Sequence, residues 1–448
     1  MLTRLQISNF KAWAEADLKF GQITGLFGTN SSGKSSLIQF LLLLKQTKDA
    51  ADRGISLAMN GAYVTLGSYR DFIHNHDEAK KLDWALSWKV GEHLVITDTL
   101  GKRSDVFARG NHLAIKSSIG SFRGAPRSER LEYRLGPDHR FRLQAKPSEP
   151  TAFDLKADGG FQFKRALGRA WQLPGPVKAY GLPDQALTYF QNSGFLSQFV
   201  SSFEAQMDKT YYLGPLREPP KRDYVWSRSR PSDVGPRGQF AIEAIIAATE
   251  AGEKRNLAPK AHLKPFQEMI AYWLKEMGLV EHFLVDEIKE GSGIFQAKVQ
   301  VRENSPEVLL TEVGFGVSQI LPVLTLLYYV DEGSTILMEQ PEIHLHPLAQ
   351  AGLADVMISV SRRRNIQIIV ESHSEHFLLR LQRRMAEQQV NADDIELYFC
   401  DVDGPKTKLS SLEIDENGVI SNWPRHFFGD AFGETAAAQK ARLKRRKS

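Results

Sequence analysis

The chain has almost no cysteine: Cys400 is the only one in 448 residues. That excludes an intrachain disulfide and any zinc site built on several thiolates, and a reducing cytosol is the natural setting. Long apolar runs are also missing. Runs such as Leu41 to Leu44 fall far short of the ~20 residues that cross a bilayer. The apolar positions of Leu2 to Phe20 are broken by Arg4, Lys11, Glu15 and Asp17, so no secretory leader is expected there. No fixed-period repeat occurs, and no heptad stretch is long enough for a coiled-coil arm. Neither charge sign dominates: 57 Lys and Arg stand against 53 Asp and Glu, for a net charge of +4. The basic residues do cluster at 221–230, 362–364 and 440–447. Such clusters can hold phosphate backbones, although a solvated surface and a frayed terminus are the simpler reading. What remains is ordinary globular composition, 42% hydrophobic and 25% charged, with chain enough for two or three domains.

The start alternates as strands do, at Leu2, Leu5, Ile7 and Phe10 and again at Ala16, Leu18 and Phe20. A third apolar run, Gln22 to Phe27, leads into a glycine-rich turn, and the spacing predicts a helix from Lys34 to about Lys48. Short strands broken by Gly, Pro and Asp turns are expected over 85–165, a more helical stretch over 166–282, and strands again over 283–301. From Thr311 onward helices alternate with apolar strands at Ser334–Met338, Ile366–Val370 and Ile395–Cys400, the pattern of an α/β unit with a parallel sheet.

Gly28-Thr29-Asn30-Ser31-Ser32-Gly33-Lys34-Ser35 matches G-x-x-x-x-G-K-[ST] between that third strand and the first helix. Glycines let the backbone curl so that successive N–H groups point at phosphate oxygens. Lys34 is expected to reach the β- and γ-phosphates, the Ser35 hydroxyl to ligate Mg²⁺, and Ser36 to add a contact at the helix start. ATP and Mg²⁺ are therefore the expected ligands.

Thr335-Ile336-Leu337-Met338-Glu339-Gln340-Pro341-Glu342 reads as a buried strand ending in polar residues. Glu339 is assigned to the metal. Gln340 falls where a catalytic glutamate would polarise the attacking water; an amide orients water but cannot take its proton. Glu342 is the candidate to compensate. His344 and His346 alternate as zinc ligands can, but no further ligands stand at a recognisable spacing. His74-Asn75-His76 lacks such spacing as well and reads as loop. His373, after the strand at 366–370, is placed to hydrogen-bond the γ-phosphate or the attacking water. Gly314-Phe315-Gly316-Val317-Ser318-Gln319 opens an apolar helix whose N-terminus can hold an anion.

Taken together, these strings resemble the ATPase heads of the ABC superfamily, in the branch shared by SMC proteins, RecF and the overcoming-lysogenisation-defect (OLD) ATPases. The strings that carry the resemblance are the opening Leu2-Thr3-Arg4-Leu5-Gln6-Ile7-Ser8-Asn9-Phe10, the loop with Asn30, G-F-G-V-S-Q, E-Q-P-E-I-H-L-H-P and E-S-H-S. More narrowly, Tyr212-Leu213-Gly214-Pro215-Leu216-Arg217 and Trp423-Pro424 are similar to stand-alone bacterial ATPases that end in a small domain of unknown function. The resemblance covers roughly residues 1–75 and 205–428.

It implies an α/β fold of the P-loop NTPase, ABC/SMC-head type, a mixed sheet with N-terminal antiparallel strands and a large α+β insert. The expected division is an ATPase domain of 1–75 plus 305–400, an insert of 76–304, a small segment of 401–428 and a basic tail of 429–448. It also implies an ATP-sandwiched homodimer in which Gly316, Ser318 and Gln319 act across the interface. Ser31 departs from the glycine that relatives commonly have, and Gln340 departs from the ABC glutamate, so slow hydrolysis is expected. Arg217 is either a phosphate sensor or a structural loop residue. The expected role is a switch acting on a nucleic-acid or protein partner, such as an effector nuclease, in DNA repair or anti-phage defence. Two alternatives stand beside it. One is an OLD-like nuclease with its own metal pair at Asp401 and Asp403, and the other is a nucleotide-bound scaffold without turnover.

Overall fold

The computed structural model describes residues 1–97, 106–168, 172–256, 262–404 and 406–424. The tail cluster at 440–447 and the end of the 401–428 segment lie outside these residues.

Strands β1 (Leu2–Phe10), β2 (Trp13–Lys19) and β3 (Ile23–Gly28) open the chain, followed by helix α1 (Lys34–Asp49). β3 lies inside a six-stranded sheet. On one side it pairs in parallel with Gln367–Glu371, which pairs with Thr335–Glu339, which pairs with the edge strand Thr210–Leu213. On its other side it pairs in parallel with Ile395–Asp403, and Lys406–Ser411 closes that edge antiparallel.

Both faces of this sheet are buried, and the residues alternate between two cores as a strand period of two requires. Leu26, Leu337, Ile369 and Cys400 join the core built around α1 and the N-terminal strands. Ile336, Met338, Ile368, Val370 and Phe399 join the core of helices Phe315–Tyr329, Pro347–Arg364 and Glu375–Ala386. α1 is buried almost all round because it lies between two sheets: Phe40 packs edge-on to Phe10 and Trp84 on one side of it.

The second large sheet is antiparallel. β1 pairs with β2 and also with Leu82–Thr97, and the latter continues through Val106–Phe122, Ala125–Leu135, His139–Lys146 and Glu149–Ala157. The strands expected as an insert over 85–165 thus extend the sheet that β1 opens, with Ile7 opposite Trp84. They are also longer than expected. Leu82–Thr97 runs straight through Gly91, absorbing it in a register shift between Lys89 and Leu94. The stretch 166–282 carries helices, but also the edge strand Thr210–Leu213, and the boundary drawn at 400/401 falls inside a strand. Arg364, one of the clustered arginines, is buried and donates to Leu327 O and Val330 O, closing a helix C-terminus instead of facing a polyanion.

One consequence of the sheet order is that Cys400 pairs directly with Gly28, behind the glycine loop. A Cβ on Gly28, whose φ is 138°, would lie 2.0 Å from the Cys400 carbonyl oxygen. Cys400 is fully buried, and burial pushes its thiol up to about 12. At pH 8 the native chain should therefore leave an aromatic disulfide reagent unreacted over minutes and release one equivalent on denaturation. Rapid reaction in the native state would show that this strand pair opens.

Candidate functional site

Parallel strands end on one edge, which is where open α/β sheets build their sites. β3 ends at Gly28, the strand Thr335–Glu339 at Glu339 and the strand Gln367–Glu371 at Glu371, with Glu339 and Glu371 opposite one another in register.

The loop has the geometry its sequence demands. Gly33 sits at φ 84° before α1, and Ser31, the residue in the usual glycine place, adopts the left-handed region at φ 62°. Holding a non-glycine residue there costs ~1 kcal/mol. Ser32 donates to Thr29 O at 2.8 Å, and the Ser36 N–H to Gly33 O at 3.1 Å. Trp13 braces the turn from behind, its indole N–H on Gly33 O at 3.0 Å. Asn30 is exposed and Lys34 is buried. The Lys34 ammonium donates to Gly28 O at 3.1 Å and Thr29 O at 2.6 Å, so it lies across the loop. Burial lowers its pKa, while Glu371 acts in the opposite direction.

Ser35 donates its hydroxyl to Glu371 at 2.7 Å. Glu339, beside Glu371, accepts from the Tyr212 hydroxyl at 2.7 Å. Burial raises the Glu339 carboxyl from its ordinary 4.5 to about 7, against the hydrogen bond from Tyr212; the neighbouring Glu371 charge adds to the rise. Glu371 is raised by burial as well. These hard oxygen donors fit a divalent cation: two carboxylates and a hydroxyl converge beside the phosphate loop.

Gln340 takes φ 46°, and its N–H donates to Glu371 O at 2.8 Å, tying the two strand ends together. Glu342 is buried; one carboxylate oxygen accepts the His373 N–H at 2.7 Å, and the other has no hydrogen-bond partner. Burial raises its pKa too. The His373 side chain is exposed at the mouth, where burial of part of the ring and then the Lys34 charge lower its pKa, so the ring is neutral at pH 7.

Glu339, Gln340, Glu342, Lys34, Ser35 and His373 are thus brought together. Of Gly316, Ser318 and Gln319, expected to act across an interface, only Gly316 lies near the surface. Ser318 and Gln319 are buried in their own chain, and the Ser318 hydroxyl is taken by Phe315 O at 2.9 Å. The reason is that the helix is buried on every side from Val317 to Tyr329, so only its first turn reaches the surface, with Phe315 70% exposed and its ring 6.3 Å from that of His344. Sequence reasoning missed two groups, Glu371 and Tyr212. Glu371 stood in the E-S-H-S string as an acid at a strand end, a signal like the one used for Glu339. Tyr212 carried no signal of its own. His346 caps the helix that it precedes, and His74 binds Lys11 O, so both have local roles. Among the described residues no group of three or more His, Cys, Asp or Glu is placed to hold a metal ion.

Residues 246–378 match the family described as "AAA ATPase domain", and residues 390–437 match "Protein of unknown function (DUF3696)". The first match spans the helix at 315, Glu339 and His373; the phosphate loop precedes it. The chain is 20% identical over 391 residues to the OLD nuclease of Thermus scotoductus, covering 84% of this chain and 60% of that protein. Among solved structures, an SMC head bound to the C-winged helix domain of ScpA is 12% identical, covering 93% of this chain and 98% of that one at a TM-score of 0.42. The SMC head domain from Thermotoga maritima is 9% identical, covering 92% and 99%, at 0.41. Part of the chain thus matches an ATPase domain family and its end matches a family of unknown function, while its motifs resemble those of SMC/OLD-like, ABC-type ATPases.

The buried carboxyl pair has a pH signature. Glu339 binds its proton more tightly in the native chain than in the unfolded one, so between about 4.5 and 7 stability falls as pH rises. Replacing Glu339→Gln should stabilise the ligand-free protein by about 1–3 kcal/mol at pH 8 and by several-fold less at pH 5. Urea unfolding at the two pH values measures this. An equal gain at both would show that Glu339 is ionised throughout.

Proposed function

We propose that this chain is an ATP-driven switch that binds Mg·ATP on this sheet edge, hydrolyses it slowly and closes as a homodimer around the nucleotide. The observation that carries the reading is the convergence of Ser35, Glu371 and Glu339 next to the glycine loop and Lys34. Ser35, Glu339 and Glu371 would hold Mg²⁺, which supplies positive charge at the β- and γ-phosphates. Backbone N–H groups of Gly28 to Ser35 would cradle the phosphates. Gln340 and His373 would orient the attacking water. Glu342, whose second oxygen has no partner, would take the water proton.

Phe315 leaves a large apolar ring exposed beside His344, two residues from Glu342, which supports a second copy docking there. In that reading the residues that meet the partner copy are Gly314, Phe315 and Gly316, in place of Ser318 and Gln319. Dimer closure would then report to a nucleic-acid or protein partner, such as an effector nuclease in repair or phage defence. The OLD nuclease is considerably longer, since this chain spans 60% of it, so nuclease activity in this chain is a separate proposal. It is not favoured. Asp401 and Asp403 lie opposite Lys408 and Lys406 across a strand pair, an opposite-charge pairing that serves the sheet.

Two measurements test the proposal. Gln340→Glu should raise ATP turnover about tenfold or more, and Glu342→Gln should lower it by about 10²-fold, as befits loss of a general base. A rate indifferent to both would remove the water-activating roles. In sedimentation velocity, Mg·ATP should convert monomer to dimer. Phe315→Arg should block that step while leaving ATP affinity within about twofold, since a charge is buried only on docking. Monomer at saturating Mg·ATP would refute closure.

A further inference from the structure

A buried guanidinium is tolerated when its five N–H donors are satisfied; otherwise its desolvation costs several kcal/mol. Arg364 obeys the rule, with two terminal nitrogens on carbonyl oxygens. Glu132 shows the same economy from the acid's side, buried among Arg130, Arg134 and Arg142. Arg217 does not. It is 6% exposed, yet Nε and both terminal nitrogens lack any hydrogen-bond acceptor.

Its surroundings are the nucleotide cleft. The charges that act on it most are those of Glu342, Tyr212 and Glu339. It forms no salt bridge with either carboxylate, and the free oxygen of Glu342 is likewise without a partner. Arg217 follows the edge strand Thr210–Leu213, which runs parallel to Thr335–Glu339 with Leu213 opposite Met338. Lys34 follows β3 on the far side of the same site. Three strand spacings separate β3 from the edge strand, ~14 Å, so two long cationic side chains can close on one ligand from opposite flanks. The loop that bears Arg217 is preset: Gly214 N–H donates to Pro236 O at 2.8 Å, and Glu218 N–H to Arg237 O at 2.9 Å.

We propose that Arg217 binds the terminal phosphate of a nucleoside triphosphate within its own protomer, so that the site distinguishes triphosphate from diphosphate. This rests on the reading of the cleft as a Mg·ATP site. The glycine loop and Lys34 serve the phosphates near β3. Arg217 serves the far end, where five donors face an anion that only the triphosphate carries. Free phosphate offers the same chemistry more weakly.

The test is calorimetric titration of the full chain, its Arg217→Met and Arg217→Lys forms, and Lys34→Ala, with Mg·ATP, Mg·ADP and inorganic phosphate, alongside ligand-free thermal unfolding. Arg217→Met should weaken Mg·ATP about tenfold or more and leave Mg·ADP within about twofold, since one charge-assisted contact is lost only with the triphosphate. Arg217→Lys should fall between. Ligand-free Tm should hold or rise, because an unpaired buried charge has been removed. Phosphate binding seen in the parent and lost in Arg217→Met would add support. Equal loss for ATP and ADP overturns the inference, as does a fall in ligand-free Tm with the ATP/ADP ratio unchanged. If the parent binds neither nucleotide, or Lys34→Ala binds both as the parent does, the ATP-site reading itself fails; a parent that binds both with equal affinity defeats only the role of Arg217.

Discussion

Two carboxylates side by side in a protein interior are the constraint on which the rest depends. Glu339 and Glu371 are adjacent because their strands pair in parallel and in register. That register cannot slip, since both faces of the sheet are buried and a one-residue shift would exchange the two cores. Burial penalises both charges, and the charge of Glu371 adds to the penalty on Glu339. A serine hydroxyl and a tyrosine hydroxyl relieve part of that penalty, and a divalent cation would relieve far more. The fold thus holds an electrostatic deficit on the edge where the glycine loop offers its N–H groups.

The same economy explains where the backbone is strained. Ser31, Gln340 and His344 all adopt left-handed conformations without being glycine, and all three lie in segments that border the site. Each bends the chain sharply as it leaves a strand or enters a helix. The surrounding core over-determines them: β3 and the strand Thr335–Glu339 are held on both edges, and the helices behind them are tightly packed. Rigidity in the sheet therefore maintains irregularity at its rim.

Much of this was legible in the sequence where local chemistry and function coincide. The glycine loop needs its residue types at fixed spacing, and the strand at 335–339 announces itself by an apolar run that ends in acid. What was not legible depends on partners distant in the chain. Nothing local says that Leu82–Thr97 pairs with β1, or that Gly91 is absorbed as a bulge. Tyr212 is functional in appearance only because its edge strand lies against Glu339. That Ser318 and Gln319 lie inside the chain was not legible either, because a motif string does not reveal that the helix from Val317 onward is covered on every side. Glu371 was quoted but passed over, its role apparent only once Ser35 is beside it.

The strand Ile395–Asp403 carries one more implication. It opens the segment matched to the family of unknown function, yet it is an interior member of the sheet, between β3 and Lys406–Ser411. Its Cys400 carbonyl presses on the first glycine of the phosphate loop. That segment is therefore no appendage to be trimmed from a catalytic core. Proteolysis or truncation ahead of residue 395 would unzip one edge of β3 and let the loop lose its footing, and a ligand or partner that grips the segment would have a direct mechanical line to the nucleotide.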